Sequence, residues 1–591
     1  MVSTKGGRMI YKLFTEAPSE LHPIEQVLQN RKVENLEKWL NPSEKFFYSP
    51  NLLGEDKINA GIEMLSAALT NKRKIYVVVD CDVDGFTSAA ILLNFLYENY
   101  PDNTEYISYG LHSGKQHGLS DMMDNIPDDC LLIVPDAGTN DVEQMLALVV
   151  RGCDVLCLDH HEADNYVKDN PNVVIINNQI CDYPNKNLSG AGIVWQFLRA
   201  YSSEKNIGRP NDYIDLVALG VLSDMMDYRS LETRAVIDAG LKNITNPFFY
   251  SMTIKNEFSI EKMGGINYMS IAFYVTPFIN AVIRSGTADE KELVFKSMLQ
   301  QYAFERIPSG KRGHKGEEVP LVEEAVRIAA NVKNRQTKLQ DETMALLESR
   351  IQEQHLLDNG IIILCCEPGE VEKNLAGLVA NKIQAKYQHP CYVLTKSKNQ
   401  DDKEYFWRGS GRNYSMSENQ DLRQLALDTE LPEYVMGHAN AHGFSIADSK
   451  LESFIEKTNE FYKDIPQEPV YWVDYSWLMD QVNSKVILDI ADAKSCWGQG
   501  IPEPYVAIHD IPLSSCNIQL LSPDKHPTLK IHLPNGIDVM KFKSSEEEFE
   551  EFIRPNQHIT AICRCNKNEW NGRVTPQLII EDFGLEEKWV F

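Results

Sequence analysis

Four apolar runs in the first third of the chain predict strands that are buried on both faces. They occupy residues 74–80 (KIYVVVD), 131–135 (LLIVP), 155–158 (VLCL) and 173–176 (VVII). Continuous runs of this kind are typical of parallel sheets, whose two faces are covered by helices. Helical patterns alternate with these runs, which predicts an open α/β sheet. Such a sheet binds ligands beyond the carboxyl ends of its strands.

The pattern of apolar and polar residues changes twice in the rest of the chain. Residues 321–356 contain neither Gly nor Pro and predict one long helix. A second α/β pattern follows it, and from about residue 464 short strand-like runs favour a small β-barrel, with an OB-fold as the first choice. The predicted parts are a lead-in at 1–50, an α/β domain at 51–320, a connecting helix at 321–356, a second α/β domain at 357–463 and an OB-fold domain at 464–591.

Composition is that of a soluble globular protein, with 43% hydrophobic and 24% charged residues. We expect no membrane association, because no apolar run approaches the roughly 18 residues of a spanning helix. The N-terminus also lacks a hydrophobic signal core, so we expect a cytoplasmic protein. The 58 basic and 85 acidic residues give a net charge of −27. This charge argues against passive coating of nucleic acid but allows a local basic groove.

Three carboxylates alternate in the turn that follows the first buried strand. Asp80, Asp82 and Asp84 precede Gly85 there. Carboxylates this close repel one another unless a cation lies between them, and hard divalent cations prefer oxygen ligands. A calcium loop would need a Glu at its twelfth position, where Ile91 stands. The turn therefore predicts a site for Mg²⁺ or Mn²⁺, with a plain acidic turn as the alternative.

More acidic and imidazole side chains follow other apolar stretches. Asp136 follows the second predicted strand, Asp159, His160 and His161 follow the third, and Asp224 follows a later apolar stretch that we also interpret as a strand. The carboxyl ends of parallel strands meet at one edge of a sheet. These side chains are therefore expected to form one cluster with the three-Asp turn.

The order of these motifs resembles that of the DHH phosphoesterase superfamily. Within it, further segments are similar to the RecJ-type single-strand-specific exonucleases, in the same order along the chain. These segments are residues 189–192 (SGAG), 276–284 (TPFINAVIR), 334–336 (NRQ), 409–413 (GSGRN), 437–443 (GHANAHG) and 497–504 (WGQGIPEP). The resemblance covers roughly residues 60–590.

The resemblance implies a fold and an activity. The fold is a parallel-sheet DHH catalytic domain, a connecting helix, a DHH-associated substrate-binding domain and a C-terminal OB-fold β-barrel. The activity is metal-dependent 5′-to-3′ hydrolysis of single-stranded DNA in repair, recombination or replication. The alternatives are a phosphodiesterase of short oligonucleotides or cyclic dinucleotides, and a catalytically silent replication scaffold. Expected partners are single-stranded DNA and a single-stranded-DNA-binding or other replication protein, and we expect a monomer.

The resemblance also assigns residues. Two ions of Mn²⁺ or Mg²⁺ are expected on Asp80, Asp82, Asp84, Asp136, His160, His161 and Asp224, of which all but Asp80 are also predicted to be catalytic. Asp159 is expected to orient an imidazole, with a strand-end cap as the alternative. Contacts to DNA or phosphate are expected from His112, Asn280, Arg284, Ser410, Arg412 and His438. For Arg412 an ordinary ion pair is the alternative.

Four positions depart from the family pattern. Val78 stands where relatives often carry His, and His112 and Phe278 stand where they carry Arg. Met436 replaces a Gly. Val78 makes an altered metal shell an expectation, and the other changes concern DNA contacts. Together they suggest a diverged member of the family, for which a phage, and hence a host cytoplasm, is one possible source.

Overall fold

A computed structural model describes residues 10–15, 21–114, 116–399, 403–463, 465 and 469–587. These residues form two compact units. Unit I consists of Arg31–Arg335 and Ala493–Pro502, and unit II contains the other described residues. Among the described residues, no helix has the length and apolar content needed to cross a membrane.

The segment predicted as one lead-in is divided between the units. Strand β1 (Ile10–Leu13) and helix α1 (Pro23–Asn30) belong to unit II, whereas α2 (Leu36–Leu40) belongs to unit I. β1 pairs in parallel with a strand at Val470–Leu478. This pairing joins segments that are far apart in the sequence.

Unit I is built on a five-stranded parallel sheet. Its strands are β2 (Ile75–Val79), β3 (Ile107–Leu111), β4 (Leu131–Pro135), β5 (Asp154–Asp159) and β6 (Val173–Asn177). Their order is β3-β2-β4-β5-β6, and every neighbouring pair is parallel. β2, β4, β5 and β6 are the four predicted strands. The edge strand β3 was missed because only Ile107 in it is buried, so it lacks a continuous apolar run.

Helices cover this sheet and complete unit I. They are α3 (Glu55–Thr70), α4 (Val83–Asn99), α5 (Val142–Val150), α6 (Gly190–Lys205), α7 (Ile214–Ser223), α8 (Leu231–Lys242), α9 (Pro247–Lys255), α10 (Glu257–Lys262), α11 (Tyr268–Tyr274), α12 (Thr276–Ser285) and α13 (Ala288–Met298). A two-stranded hairpin follows, made of β7 (Arg306–Pro308) and β8 (Glu318–Pro320). The interpretation of the stretch before Asp224 as a strand is wrong, because this stretch is helix α7 and Asp224 is its C-cap.

The long helix α14 (Leu321–Glu353) contains the boundary between the two units, at Arg335 and Gln336. The α/β part of unit II consists of β9 (Ile362–Cys366), α15 (Ala376–Tyr387), β10 (Cys391–Ser397), β11 (Phe406–Arg412), α16 (Leu422–Asp428), β12 (Tyr434–His438), β13 (Ala441–Ala447) and α17 (Leu451–Tyr462). Its sheet has the order β12-β13-β11-β10-β9, in which only β9 and β10 are parallel.

The C-terminal part of unit II is a sheet of eight strands with the order β1-β14-β15-β19-β20-β18-β17-β16. The elements are β14 (Val470–Leu478), α18 (Ser484–Asp492), β15 (Tyr505–Pro512), β16 (Asn517–Leu521), β17 (Thr528–His532), β18 (Asp538–Phe542), α19 (Glu546–Phe552), β19 (Gln557–Trp570) and β20 (Arg573–Glu587). Among the described residues, no pairing between β1 and β16 closes this sheet into the predicted barrel.

Candidate metal centre and phosphate-binding residues

The three-Asp turn joins the buried strand β2 to helix α4. Asp80 and Asp84 are buried, and the carboxylate of Asp82 caps α4 by accepting a hydrogen bond from the Gly85 backbone N–H at 2.9 Å. A Cβ atom at Gly85 would lie 2.6 Å from Cβ of Asp80. Only glycine therefore lets the first helical turn approach Asp80 this closely.

Asp84 is held by the segment SGAG at the start of α6. Its carboxylate accepts hydrogen bonds from Ser189 Oγ and Gly190 N at 2.7 Å each, and from Ala191 N at 3.1 Å. The unpaired backbone N–H groups at the N-terminus of a helix, together with the helix dipole, favour a negative charge there. This contact gives the SGAG segment a physical function, which is to fix the orientation of one carboxylate.

Asp136 follows β4 in a left-handed backbone conformation, with φ of 64°. Its backbone N–H donates to Leu158 O at 2.8 Å, which joins the turn to β5. The side chain is 1% exposed, yet neither carboxylate oxygen has a hydrogen-bond partner. A buried carboxylate without donors is costly unless a cation or a proton compensates its charge.

His160 lies at the centre of the cluster. Its Nε2 atom is 3.3 Å from Asp136 Oδ1, 3.4 Å from Asp224 Oδ2 and 3.9 Å from Asp84 Oδ2. This nitrogen is buried and makes no hydrogen bond. Asp224 reaches the cluster from the C-terminal end of α7, so a helix end and strand ends contribute side chains to the same centre.

Asp159 contacts both its backbone surroundings and an imidazole. Its carboxylate accepts hydrogen bonds from the backbone N–H groups of Thr139 at 3.0 Å, His160 at 2.7 Å and His161 at 3.2 Å. It is also 2.8 Å from His161 Nδ1. The two roles that the sequence left as alternatives, capping the turn and orienting an imidazole, are thus carried by one side chain.

The cluster opposes its own ionisation. Burial, followed by the charges of the neighbouring aspartates, raises the pKa of Asp136 and of Asp224 well above the usual range. Burial also lowers the pKa of His160. His161 differs: burial lowers its pKa, but the hydrogen bond and charge of Asp159 outweigh this and raise it to about 9.

These features fit a site for divalent cations. Overlapping groups of ligand atoms lie within 4.8 Å of one another, namely Asp80 with Asp82 and Asp136, Asp84 with His160 and Asp224, and Asp136 with His160 and His161. The unpartnered atoms of Asp136 and His160 belong to these groups. Carboxylate oxygens with imidazole nitrogens suit Mn²⁺, and the carboxylate-rich part also suits Mg²⁺.

Two histidines near Asp80 have positions that the sequence did not indicate. His117, which was not singled out, is hydrogen-bonded through Nδ1 to Asp80 Oδ2. His112 follows β3 with a fully buried side chain, 2.9 Å from Asp121 through Nδ1 and 3.5 Å from Asp80 Oδ1 through Nε2. This burial does not fit the predicted contact of His112 with DNA. The parallel pairing of β3 with β2 brings the loop after β3 and the three-Asp turn after β2 to the same edge of the sheet. No local sequence pattern indicates this pairing.

Asn280 and Arg284 lie one turn apart on α12, and both are half-buried. Burial lowers the pKa of Arg284, while the charges of Asp82 and Cys81 oppose that change. The guanidinium group therefore lies within electrostatic reach of the three-Asp turn. Such a placement suits a group that binds a phosphate at this centre.

The other predicted phosphate contacts lie in unit II. Ser410 and Arg412 are on β11, and both reach the first turn of α15. A Cβ atom at Gly377 would lie 2.5 Å from Arg412 Nη2 and 3.4 Å from Ser410 Oγ. A guanidinium, a hydroxyl and a helix N-terminus thus converge, which is a suitable arrangement for a phosphate. His438 is exposed on β12, near Arg412 through the register of β13.

Comparison with known proteins first defines the class. The family model "DHH family, N-terminal domain" matches residues 74–221, and the model "RecJ OB domain" matches residues 473–582. A crystal structure of RecJ from Thermus thermophilus in complex with Mn²⁺ has a TM-score of 0.69 and 19% identity, and covers 95% of this chain and 75% of that chain. The predicted fold class, a DHH-type α/β protein with a C-terminal OB domain, is confirmed.

Closer relatives specify the family. The putative SPbeta prophage-derived single-strand DNA-specific exonuclease YorK of Bacillus subtilis (strain 168) is 33% identical over 584 residues, 98% of each chain. RecJ of the same organism, named a single-stranded-DNA-specific exonuclease, is 25% identical over 94% of this chain and 67% of its own length. The chain belongs to the family of these two proteins, the RecJ-type exonucleases.

Mn²⁺ is expected to raise the melting temperature more at about pH 8 than at about pH 5.5. A carboxyl whose pKa is raised on folding adds stability below its unfolded pKa, and this stability is lost as the pH rises through the folded pKa. Asp136 and Asp224 are such groups. The metal-free protein therefore loses stability as the pH rises, and a cation offsets the loss. Thermal denaturation with and without Mn²⁺ checks this, and equal shifts at both pH values would contradict it.

Proposed function

We propose that this chain is a divalent-metal-dependent exonuclease that degrades single-stranded DNA from the 5′ end. The observation that carries the proposal is the convergence of the buried carboxylates of Asp84 and Asp136 and the partly exposed one of Asp224 on His160 Nε2, with the oxygens of Asp136 unpartnered. The relatives YorK and RecJ, which are named single-strand DNA-specific exonucleases, support the part of the proposal that concerns exonuclease action on single-stranded DNA.

Within this proposal the cations are Mn²⁺ or Mg²⁺, two in number. They would be held by Asp80, Asp82, Asp84, Asp136, His160, His161 and Asp224. When bound, such a pair activates a water molecule and neutralises charge on the phosphate under attack.

The side chains around these ligands fix their geometry before substrate binds. Ser189 and the first N–H groups of α6 hold Asp84, and Asp159 holds His161 by its Nδ1 atom. Arg284, near Asp82, supplies a positive charge for the scissile phosphate. Orienting groups of this kind tune both the affinity of a metal site and its reactivity.

The terminal phosphate of the strand is assigned to unit II. Ser410, Arg412 and the N-terminus of α15 offer donors for a phosphate dianion, and His438 adds an exposed imidazole on β12, which β13 separates from β11. Burial, followed by the positive charges of Arg412 and Arg423, lowers the pKa of nearby His442 to about 4. Two guanidinium groups therefore lie within electrostatic reach of this imidazole.

The C-terminal sheet offers further strand-binding groups. Phe542 and Trp570 are 54% and 73% exposed. Phe542 lines a groove together with Lys525, His526 and Lys543. Aromatic faces between cations suit the stacking of unpaired bases. A sheet of this kind favours long strands over the very short substrates of the alternative phosphodiesterase.

A direct assay separates these activities. With Mn²⁺, the chain is expected to shorten an end-labelled single strand far faster than it opens a cyclic dinucleotide. A faster reaction with the dinucleotide would contradict the proposal, and no reaction with either would favour the silent scaffold. A partner protein, the monomeric state and a cytoplasmic location stay predictions.

Arg412→Ala is expected to raise KM for a 5′-phosphorylated strand by about 10-fold or more, with a smaller change in kcat. The reason is that the guanidinium binds the end of the strand and does not take part in the reaction. The matched control is Arg408→Ala on the same strand, since Arg408 contacts Ser397 and the ring of Phe406. Steady-state kinetics with 5′-phosphorylated and 5′-hydroxyl strands check this prediction.

Gly377→Ala tests the same site without removing a charge. The new Cβ would displace the end of the Arg412 side chain, while alanine favours the helix more than glycine does. We therefore expect a raised KM with an unchanged or higher melting temperature. A normal KM in both Arg412→Ala and Gly377→Ala would contradict the proposal that the terminal phosphate binds at this position.

A further inference from the structure

A second combination of ligand atoms lies beside the proposed catalytic centre. Asp80, Cys81 and His117 place a carboxylate oxygen, a thiol sulfur and an imidazole nitrogen within 4.8 Å of one another. Cys81 is 4% exposed, whereas the side chain of His117 is half-exposed. Neither Cys81 nor His117 has a function in the hydrolysis proposed above, and the sulfur makes this set chemically different from the neighbouring carboxylates.

The backbone fixes the position of His117. The N–H of the next residue, Gly118, donates to Asp80 Oδ1 at 3.1 Å, and the N–H of Leu119 donates to Asp141 at 2.8 Å. Gly118 has φ of 78°, and a Cβ atom there would lie 2.2 Å from the Asp141 carboxylate. The hydrogen bonds of Gly118 and Leu119, the two residues that follow His117, therefore hold His117 next to Asp80.

A second imidazole points at the same carboxylate. The His112 side chain is fully buried, and its Nε2 atom lies 3.5 Å from Asp80 Oδ1 without a hydrogen bond. Its other nitrogen is 2.9 Å from the carboxylate of Asp121. A carboxylate on one ring nitrogen is the usual arrangement when the other nitrogen faces a cation. Asp80 thus has His117 at one oxygen and His112 at the other.

We propose that Asp80, Cys81 and His117 form a third cation site, which takes a borderline transition metal such as Zn²⁺ or Co²⁺ in preference to Mg²⁺. Sulfur and imidazole ligands select such metals, whereas Mg²⁺ prefers oxygen alone. Binding releases the Cys81 thiol proton and the proton between His117 Nδ1 and Asp80 to solvent. The site shares Asp80 with the proposed catalytic centre and extends it toward the turn at His117.

Cobalt provides the test, because a thiolate ligand gives Co²⁺ a charge-transfer absorption in the near ultraviolet. The full chain is saturated with Mg²⁺ and then titrated with Co²⁺. We expect this absorption to increase until one equivalent of Co²⁺ per chain has been added. Cys81→Ser is expected to abolish it, and His117→Ala to weaken Co²⁺ binding by about 10-fold or more. The matched control is Cys181→Ser, because Cys181 is a partly buried cysteine of the same unit that donates to Asn177 O.

Two results would overturn the proposal. One is the absence of thiolate absorption in the wild-type chain at one equivalent of Co²⁺, and the other is its persistence in Cys81→Ser. Cobalt K-edge absorption of the wild-type chain gives an answer that does not depend on the folding of a variant, because only nitrogen and oxygen scatterers would also exclude Cys81. Failure to degrade DNA would leave these signals unchanged, so the exonuclease proposal and the cation site fail separately.

Discussion

Replacing Asp136 with asparagine is expected to lower Mn²⁺-dependent release of nucleotides from single-stranded DNA by about 10³-fold or more. The change keeps the size of a side chain that lies against Gly190. It removes a negative charge that no hydrogen bond satisfies and that a cation is proposed to use. Single-turnover kinetics with a labelled strand measure the loss.

Stability distinguishes this loss from misfolding. Because burial raises the pKa of Asp136, its charge destabilises the metal-free protein near neutral pH. We therefore expect the metal-free melting temperature of Asp136→Asn to equal or exceed that of the wild type. The matched control is Asp128→Asn, since Asp128 is an exposed carboxylate of the same unit, paired with Arg151. Near-normal turnover in Asp136→Asn would contradict the site.

His160→Ala is expected to produce a loss of similar size, about 10³-fold, together with the loss of one bound cation per chain. His160 places a buried nitrogen without a hydrogen bond among three carboxylates. His161→Gln is expected to lose less, because His161 is half-exposed and its Nδ1 atom is already bonded to Asp159. Activity assays and calorimetric titration with Mn²⁺ measure both effects.

The control for these variants is His355→Ala, which removes an exposed imidazole in unit II. It is expected to keep the wild-type rate and the wild-type cation stoichiometry. If His160→Ala also kept both, the imidazole at the centre of the cluster would not be a ligand.

The sequence predicted the metal centre best where a strand is buried on both faces, because such a strand appears in the sequence as a continuous apolar run. β2, β4, β5 and β6 are buried along nearly their whole length, and their apolar runs locate the side chains that follow them. A fully apolar run does not distinguish a strand from a buried helix, and for this reason α7 was interpreted as a strand. The strand interpretation supported the expected position of Asp224 in the cluster, and the structure brings Asp224 there from the C-terminal end of a helix instead.

Contacts that arise from pairing between distant segments could not be predicted in this way. The edge strand β3 lacks an apolar run, so the approach of His112 and His117 to Asp80 had no local signal. Arg412 on β11 packs closely against Gly377 on α15 because Gly377 has no side chain, and no local pattern in the sequence indicates this contact. The pairing of β1 with β14 depends on residues at opposite ends of the chain. The domain bounds taken from the sequence stay predictions.

The measurement that tests the central claim most directly is the rate of nucleotide release from a single strand and from the matching blunt duplex, with Mn²⁺ and with a chelator. The account predicts rapid release from the single strand with Mn²⁺, little from the duplex, and none from either when the cation is removed. Release that continues in the chelator, or that is equally fast from the duplex, would contradict a metal-dependent centre that acts on single strands.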